Sequence, residues 1–334
     1  MEFTKIAGTG LTVSRIGLGT WAIGGWMWGG SDEADSIATV HAAIDQDINL
    51  IDTAPVYGFG RSEEILGKAL ALNGLRNRVI IATKAGLDWS DGHPFRHASR
   101  QRIFAEAEAS LKRLRTDYID IYQIHWPDPF TPVEECAEAM LALLQQGKIR
   151  AVGVSNFSQL QMREFRRVSR IHTVQPPYNL FERESEEAVL PYCFWHGIAT
   201  LAYGPLCRGL LSGRMRPETI FIGDDQRKSD LKFQHPRYGQ YLRAVAELDR
   251  FARENYGKRI IHLALRWVLD QPGVSAALWG ARRPSQFDPL SQVIGWTLGN
   301  DAMCEIDRIV HANVKNPIGP EYMAPPARAD VAAA

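Results

Sequence analysis

The chain of 334 residues is poor in cysteine and carries no excess of either charge. Its four cysteines lie far apart and form no Cys-x-x-Cys pair, which argues against a metal cage or a disulfide framework and favours a reducing compartment. Lys plus Arg and Asp plus Glu both total 38, so the formal net charge is zero. Binding to nucleic acid or to anionic lipid normally needs a basic excess, so this balance argues against both.

Long hydrophobic runs are also missing. One uncharged stretch, residues 16–31, has six glycines among its 16 residues and is too short to span a membrane. The first residues alternate charged with apolar side chains, unlike a secretory signal peptide. With 45% hydrophobic and 23% charged residues, the composition is that of an ordinary globular protein. We therefore expect a cytoplasmic protein without a metal site.

A strand-then-helix alternation runs along almost the whole chain. Short apolar or β-branched runs alternate with amphipathic stretches at helical spacing. Eight strands, each followed by a helix, can close into a barrel, so we predict an α/β protein with a (β/α)8 TIM-barrel fold. A small hairpin is expected before it, at residues 2–6 and 11–14. The predicted barrel strands are residues 15–19, 49–52, 79–83, 119–123, 151–155, 173–175, 198–202 and 274–278.

The alternative architecture is an open, doubly wound sheet, which needs a glycine-rich turn leading from the first strand straight into a helix. Gly17, Gly19 and Gly24 lie at the end of the first strand and beyond it, but no helix is predicted directly after them, so the barrel is favoured. No linker divides the chain, and we expect one domain, residues 1–334, with long loops at the carboxyl ends of the strands. An insertion at residues 205–236 interrupts the seventh unit. An irregular tail from about residue 316 is expected to finish in a mobile, alanine-rich end.

Three helix starts carry recognisable signals. Residues 131–134 and residues 158–161 each have the pattern of a capping box, the first with proline at the first helical position. Glu63 and Glu64 follow Ser62, where the helix dipole favours acidic side chains. We therefore predict that helices begin at these three points.

Polar side chains follow three neighbouring strands. Asp52 ends the second predicted strand and Tyr57 comes shortly after it, Lys84 follows the third strand, and His125 follows the fourth. The carboxyl ends of barrel strands share one rim, so these groups are expected to meet there. An ammonium beside a phenol favours the phenolate and lowers the pKa of the phenol, while a carboxylate holds the ammonium in place. A nearby imidazole can donate a hydrogen bond to a carbonyl oxygen, so the set suits protonation of an alkoxide formed by hydride transfer.

These motifs resemble the catalytic tetrad of the aldo-keto reductase superfamily. The resemblance is carried by Asp52-Thr53-Ala54-x-x-Tyr57-Gly58, Lys84 and His125-Trp126, and it extends over nearly the whole chain. It implies Asp52, Tyr57, Lys84 and His125 as catalytic residues, with Tyr57 as the proton donor. It also implies a nicotinamide cofactor across the barrel mouth, in contact with Gly19, Thr20, Trp21, Asp52, Ser155, Asn156, Gln175, Tyr203, Gly204, Pro205, Leu206, Arg208, Gly280, Arg282 and Gln286. The substrate is expected against Trp21, Tyr57, Trp89, His125 and Trp126, although packing between long loops would also explain the tryptophans.

The resemblance bears on the cofactor and the substrate as well. Arg282, just before the helix of the eighth unit, is suited to pair with a 2′-phosphate, so NADPH is favoured over NADH. Many family members have a hydroxyl residue in place of Ala281 and an asparagine in place of Leu290, so the hold on the adenosine end differs here. Motifs at residues 295–298 and 317–326 resemble a bacterial branch of stress-associated reductases and NADPH-dependent glycerol dehydrogenases, which implies small aldehydes or short polyols as substrates. We expect a monomer or a small homo-oligomer.

Two other functions are compatible with the same residues. Lys84 can be the Schiff-base nucleophile of an aldolase-like barrel, with Asp52 and Tyr57 as proton shuttles, but the motifs after strands five to eight then have no role. The protein can also be an NADPH-binding, redox-sensing subunit that docks on a protein partner, like the channel subunits that share this fold and tetrad. Its neutral charge favours an enzyme. Cys207 is expected to pack rather than react, since nothing nearby in the sequence would activate its thiol.

Overall fold

The computed structural model describes residues 1–328, so residues 329–334, the alanine-rich end predicted to be mobile, lie outside the described residues. Within the described part, no helix has the length and apolar character needed to cross a membrane. The strands in chain order are β1 (Phe3–Lys5), β2 (Thr12–Ser14), β3 (Ile16–Gly19), β4 (Leu50–Asp52), β5 (Ile80–Ala85), β6 (Leu87–Ser90), β7 (His93–Arg96), β8 (Ile119–Ile124), β9 (Ile149–Ser155), β10 (Thr173–Gln175), β11 (Ala199–Tyr203) and β12 (Val274–Gly280).

Eight of these strands form a closed barrel in the order β3-β4-β5-β8-β9-β10-β11-β12, all neighbours being parallel. β12 pairs back onto β3, with Ala277 opposite Ile16 and Gly280 opposite Gly19, and this pairing closes the ring. Each of the eight predicted runs is a barrel strand, with bounds that agree within two residues. The (β/α)8 prediction is confirmed, and the open-sheet alternative is excluded because the two edge strands it requires are paired with each other.

Helices connect the strands and surround the barrel. They are α1 (Trp21–Gly24), α2 (Glu33–Asp45), α3 (Arg61–Leu72), α4 (Arg100–Leu114), α5 (Val133–Gln145), α6 (Gln159–Phe165), α7 (Val189–His196), α8 (Arg237–Tyr256), α9 (Ile260–Asp270) and α10 (Asn300–Asn313). Short 3-10 turns add Leu75–Arg78, Glu184–Glu186, Cys207–Ser212, Gln226–Lys228, Leu231–Phe233, Pro284–Phe287, Leu290–Gln292 and Glu321–Met323.

One predicted capping box is confirmed and the other is wrong. Ser158 and Gln161 exchange the expected side-chain and backbone hydrogen bonds at the start of α6. At α5 the first residue outside the helix is Pro132, and no side chain caps it. The Thr131 hydroxyl instead donates to the Asp128 carboxylate at 2.7 Å. The sequence pattern was misleading there because a nearby acid competes for the hydroxyl.

The predicted N-terminal hairpin is present and closes the amino-terminal end of the barrel. β1 and β2 pair antiparallel, and Ile6, Leu11 and Val13 are buried in one cluster with side chains from inside the barrel, such as Leu50 and Ile121. Burying this apolar surface stabilises the closed end. Small molecules are therefore expected to enter from the opposite, carboxyl-terminal end.

Long segments build walls at the carboxyl-terminal end. The β6–β7 hairpin extends from β5, and the tail runs alongside it, with Arg96 N donating to Pro326 O at 2.9 Å. The loop after β3 meets the insertion, since the Asp224 carboxylate accepts from Met27 N at 2.7 Å and from Gly29 N at 2.9 Å. These contacts make a deep, partly covered mouth above the ends of the strands.

Candidate active site

The ends of three neighbouring strands bring the four predicted catalytic side chains together. Asp52 is the last residue of β4, Lys84 lies near the end of β5, and His125 directly follows β8. Lys84 Nζ donates to Asp52 Oδ1 at 2.7 Å and to the phenol oxygen of Tyr57 at 3.2 Å. The Tyr57 and His125 rings meet edge to face, with 5.8 Å between their centroids. The phenol, ammonium, imidazole and carboxylate thus form one contiguous group at the barrel mouth.

Lys84 is held by three acceptors. Besides Asp52 and Tyr57, its ammonium donates to Thr53 O at 3.0 Å, and the whole residue is buried. An ammonium has three N–H donors, and each has a partner here. A Schiff-base nucleophile must instead present a free, neutral amine to the substrate. This arrangement therefore favours a role for Lys84 in orienting the phenol over a role as an aldolase nucleophile.

Burial dominates the electrostatics of the site. It raises the pKa of the Tyr57 phenol well above 10, and the Asp52 carboxylate raises that pKa further. Burial lowers the pKa of Lys84, against the opposing effect of Asp52. It also lowers the pKa of His125 well below 6.5, with the Lys84 charge adding to the effect. The sequence-based expectation of a lowered phenol pKa is wrong. The free-energy cost of removing the phenolate from water exceeds the stabilisation that one neighbouring ammonium provides.

Three buried hydroxyls lie behind the reacting groups. Thr53 bonds to Ser62 Oγ at 3.0 Å, Ser62 donates to Thr20 Oγ1 at 2.7 Å, and Thr20 donates to Asp52 O at 2.9 Å. α3 begins at Arg61, so the predicted start at Ser62 is one residue late, and Ser62 points from the first turn towards the strand ends. Sequence reasoning recognised Ser62 only as a helix-start signal, because the hydroxyl chain forms between segments distant in sequence.

Ser155, Asn156 and Gln175 lie at the opposite edge of the same group. Gln175 Nε2 donates to Asp52 Oδ2 at 2.7 Å, and Ser155 Oγ donates to Gln175 O at 2.8 Å. Asn156 Oδ1 accepts from the Tyr203 hydroxyl at 3.0 Å. These contacts fix three polar side chains beside the tetrad, and all three are among the cofactor contacts that the resemblance implies.

Two adjoining cavities open at the mouth and share Trp21, Tyr57, Tyr203 and Met323. The first, about 440 Å³, is a long cleft. The second, about 320 Å³, lies over the tetrad. The predicted cofactor residues on the wall of the cleft are Gly19, Thr20, Trp21, Asp52, Tyr203, Gly204, Pro205, Leu206, Arg208, Gly280, Arg282 and Gln286. The predicted residues on the wall of the second cavity are Trp21, Tyr57, His125, Trp126, Ser155, Asn156, Gln175 and Tyr203.

Not every predicted contact faces these cavities. Trp89 is on the wall of neither, and its ring packs against Phe59 with 5.6 Å between centroids. The Arg208 side chain is buried and donates to Asp230 at 2.9 Å and to Glu182. Because these carboxylates occupy its guanidinium, we expect any contact of Arg208 with a diphosphate to come from its backbone.

Sequence reasoning missed several residues on the cavity walls. Phe221 and Arg227 of the insertion line the cleft, Tyr322 of the tail lines the second cavity, and Met323 lines both. The sequence marks the insertion and the tail as segments, but their course over the mouth depends on contacts between loops. No local pattern predicts such contacts.

The cleft suits a nicotinamide dinucleotide. It runs from the tetrad to Arg282, and at Gly204 and Gly280 a Cβ would enter open space. A phosphate can therefore approach the backbone closely at both glycines, which is the usual reason for glycine in such loops. Within the described residues, the buried Nε1 atoms of Trp21 and Trp28, two residues of this wall, have no hydrogen-bond partner.

A closed parallel barrel with Tyr, Lys, His and Asp at its mouth, beside a cleft for a dinucleotide, defines a barrel oxidoreductase. The chain belongs to the aldo/keto reductase family, whose sequence model matches residues 15–311. Aldo-keto reductases use nicotinamide cofactors and interconvert carbonyl and alcohol groups. The protein is accordingly an oxidoreductase acting on such groups.

The chain is similar to proteins from several bacteria. Aldo-keto reductase YhdN of Bacillus subtilis (strain 168) is 60% identical over 331 residues, which are 99% of this chain and all of the relative. The NADH-specific methylglyoxal reductase of Escherichia coli (strain K12) is 36% identical over 86% of this chain and 91% of its own. Among solved structures, the glycerol dehydrogenase AKR11B4 from Gluconobacter oxydans superposes with a TM-score of 0.87 at 50% identity, covering 96% of this chain and 99% of that one.

Proposed function

We propose that the protein is an NADPH-dependent reductase of small aldehydes that works reversibly on short alcohols and polyols. The observation that carries this proposal is the unbroken contact from Asp52 through Lys84 to the Tyr57 phenol, at the junction of a dinucleotide-sized cleft and a small second cavity. Tyr57, Lys84, His125 and Asp52 are the catalytic residues of this proposal.

The residues divide the proton chemistry among them. A nicotinamide held beside the tetrad by Ser155, Asn156 and Gln175 would supply hydride to the carbonyl carbon or accept it from an alcohol. Tyr57, whose raised pKa keeps the phenol neutral, gives its proton to the carbonyl oxygen. The Lys84 ammonium, held by Asp52, stabilises the phenolate left behind. His125 is neutral because its pKa is lowered, and it donates a hydrogen bond to the same carbonyl oxygen.

The second cavity supports a small substrate. Its wall is mostly aromatic and aliphatic and includes Trp21, Trp26 and Trp126 together with Tyr57, and its volume is about 320 Å³. One relative is named as a glycerol dehydrogenase and another as a methylglyoxal reductase, both acting on short oxygenated molecules. These names support small aldehydes and polyols as the substrate class here.

The cofactor proposal concerns the far end of the cleft. Arg282 lines it, and a guanidinium suits a 2′-phosphate, which supports NADPH. A relative at 36% identity is named NADH-specific, so the cofactor preference varies within the family. We also propose that the protein works in the cytoplasm, since Cys136, Cys193 and Cys207 are free and buried, as a reducing compartment allows.

The test is a screen for NADPH or NADH consumption at about 340 nm with glyceraldehyde, longer aldehydes, sugars and ketones. Tyr57→Phe should lower kcat for reduction by about 10²- to 10⁴-fold, the usual contribution of a general acid, while NADPH binding stays intact. Tyr118→Phe, which changes a half-buried tyrosine away from the cavities, is the matched control and should keep full activity. A near-normal rate in Tyr57→Phe would remove Tyr57 from the role of proton donor.

The same measurements distinguish an enzyme from a docking subunit. We propose a monomer or a small homo-oligomer with ordinary turnover. Tight NADPH binding without turnover on any aldehyde, together with a tetrameric mass in solution, would instead indicate a redox-sensing subunit.

A further inference from the structure

The Asp52 carboxylate is held from three other strands of the barrel. Its Oδ1 atom accepts from Lys84 on β5 at 2.7 Å. Its Oδ2 atom accepts from Gln175 Nε2 on β10 at 2.7 Å and from Gln123 Nε2 on β8 at 3.5 Å. The two glutamines thus hold the oxygen that does not bind the ammonium, and together with Lys84 they fix the orientation of the carboxylate.

Gln123 differs from Gln175 in its place in the site. Gln175 lines the second cavity and is one of the cofactor contacts that the resemblance implies, whereas Gln123 is fully buried and lines neither cavity. In the barrel sheet Gln123 lies opposite Lys84, and His125 follows it two residues later. Gln123 therefore acts on the reacting groups through Asp52 and not by contact with a ligand in the cavities.

The Gln123 amide is an unfavourable side chain for this position unless its N–H group is needed. Within the described residues its buried Oε1 atom has no hydrogen-bond partner, and an unpaired buried acceptor lowers the free energy of unfolding. Ile121, the preceding residue on the same face of β8, belongs to the apolar cluster inside the barrel. Rotating the amide by half a turn would place Oε1 against the Asp52 carboxylate, so Nε2 is the group that faces it. The N–H donor is what an apolar residue would lack here.

Gly153 provides the space that the Gln123 side chain occupies. It pairs with Gln123 on one side and with Thr173 on the other. A Cβ atom at residue 153 would lie 2.7 Å from Gln123 Cγ and 2.3 Å from Thr173 Oγ1. Any larger residue at this position would therefore displace the Gln123 side chain from its present place.

We propose that Gln123 is a positioning residue of the candidate active site, whose amide fixes the Asp52 carboxylate and thereby the Lys84 ammonium against the Tyr57 phenol. The inference rests on the proposed function, because it concerns the same proton transfer. The ammonium lies 3.2 Å from the phenol oxygen, and a carboxylate that is free to turn would let it move away. Rates fall steeply when a supporting group shifts by about 1 Å.

The first test is steady-state reduction of glyceraldehyde by NADPH. Gln123→Met fills a similar space without the N–H donor and should lower kcat by about 10-fold, the usual effect of losing a hydrogen bond to a charged group, with KM for NADPH changed less than about twofold. Thr173→Val is the matched control and should keep kcat within about twofold. Thr173 is also fully buried inside the barrel, and its hydroxyl has no hydrogen-bond partner within the part of the chain that the structure describes.

The second test is the pH dependence of Gln123→Glu, which a loss of packing alone would not change. The new carboxyl would face Asp52 and Lys84, and burial beside a carboxylate keeps it protonated near pH 6, where its O–H can still donate to Asp52. As the pH rises it ionises, and the two carboxylates repel each other. The rate of reduction should be within about threefold of wild type at pH 6 and should fall by about 10-fold or more towards pH 9, whereas the wild-type rate stays nearly constant.

The outcomes separate this inference from the proposed function. If the wild type reduces no aldehyde, the proposed function and the role of Gln123 both fail. If the wild type is active but Gln123→Met keeps kcat within about twofold, or loses no more than Thr173→Val, the role of Gln123 is overturned and the proposed function stands. Thermal unfolding shows whether each variant is folded. If Gln123→Met is not, the Gln123→Glu profile decides, and a profile as flat as that of the wild type overturns the role.

Discussion

The Tyr57 phenol shows how burial assigns a chemical role to one residue. Its oxygen accepts a hydrogen bond from Lys84, yet its pKa lies above that of free tyrosine, since desolvation and Asp52 together outweigh the ammonium. The group is therefore a neutral acid at physiological pH. A neutral acid is the form that reduction requires, whereas alcohol oxidation requires the phenolate.

This assignment predicts opposite pH dependences for the two directions. Reduction of an aldehyde should have a nearly constant kcat/KM between about pH 6 and pH 9, because Tyr57 stays protonated and His125, with its lowered pKa, stays neutral. Oxidation of a short alcohol should accelerate with pH through the same range, because the phenolate fraction rises. Initial rates in both directions across this range check the prediction.

Two results would contradict it. A decline of reduction centred near pH 8 would indicate a phenol with a lowered pKa, as the sequence suggested. A change in reduction centred near pH 6.5, the ordinary value for histidine, would indicate that His125 takes up a proton there.

At the next level, the first turn of α3 acts as a support for the catalytic strand ends. Its residue Ser62 is fully buried and joins Thr53 and Thr20, which in turn bonds the backbone of Asp52. The Thr53 carbonyl also accepts from Lys84. The start of α3 thus helps to position Asp52 and Lys84, which lie outside this helix.

Ser62→Ala should destabilise the protein by about 1–3 kcal/mol, since it leaves buried hydroxyls without a partner, and should lower kcat severalfold through displaced strand ends. Ser158→Ala removes the cap of α6 and should cost about 1 kcal/mol with kcat unchanged. Urea unfolding and steady-state kinetics of both variants make the comparison. Equal kcat values in the two would show that the hydroxyl chain supports only stability.

A second support lies between the insertion, the tail and the loop after β10. Lys232 is fully buried and donates to Glu182 at 2.9 Å and to Gly319 O at 2.9 Å, while Arg208 donates to Glu182 and Asp230. The carboxylates are also buried, and the two cations compensate them. Three segments distant in sequence therefore share one ionic cluster beneath the cleft.

Lys232→Met should destabilise the protein by about 3–5 kcal/mol, because it leaves buried carboxylates without this counter-ion. Lys68→Met breaks a pair with Glu33 of similar length, 2.8 Å, whose side chains are 40% and 37% exposed, and should have a much smaller effect. Thermal and urea unfolding of the two variants test the difference. A similar decrease in the free energy of unfolding in both variants would show that burial of the cluster adds nothing to its contribution to stability.

For the whole molecule, closure of the barrel ties the two ends of the chain together. β3 pairs with both β4 and β12, so neither half of the chain has a complete sheet without the other. We therefore predict that residues 1–334 unfold as one cooperative domain. Far-UV circular dichroism and tryptophan fluorescence should give the same midpoint in urea, and two separate transitions would contradict this.

Much of the fold and of the candidate site can be predicted from the sequence. Apolar runs of strand length mark all eight barrel strands, because each must be buried on both faces. Asp52, Lys84 and His125 come at or near the ends of those runs, and parallel strands necessarily share a rim, so their meeting follows from local order plus the topology rule.

Other properties depend on contacts between distant segments. The Thr131 hydroxyl donates to Asp128 and does not cap a helix, and Arg208 donates to Glu182 and Asp230. Arg227 lines the cleft although it belongs to the insertion. The direction of the Tyr57 pKa depends likewise on how completely the folded chain excludes water. Periodicity and motif spacing reflect interactions between residues close in sequence. Desolvation and the choice of hydrogen-bond partner depend instead on the packing of distant segments, so only the tertiary structure determines them.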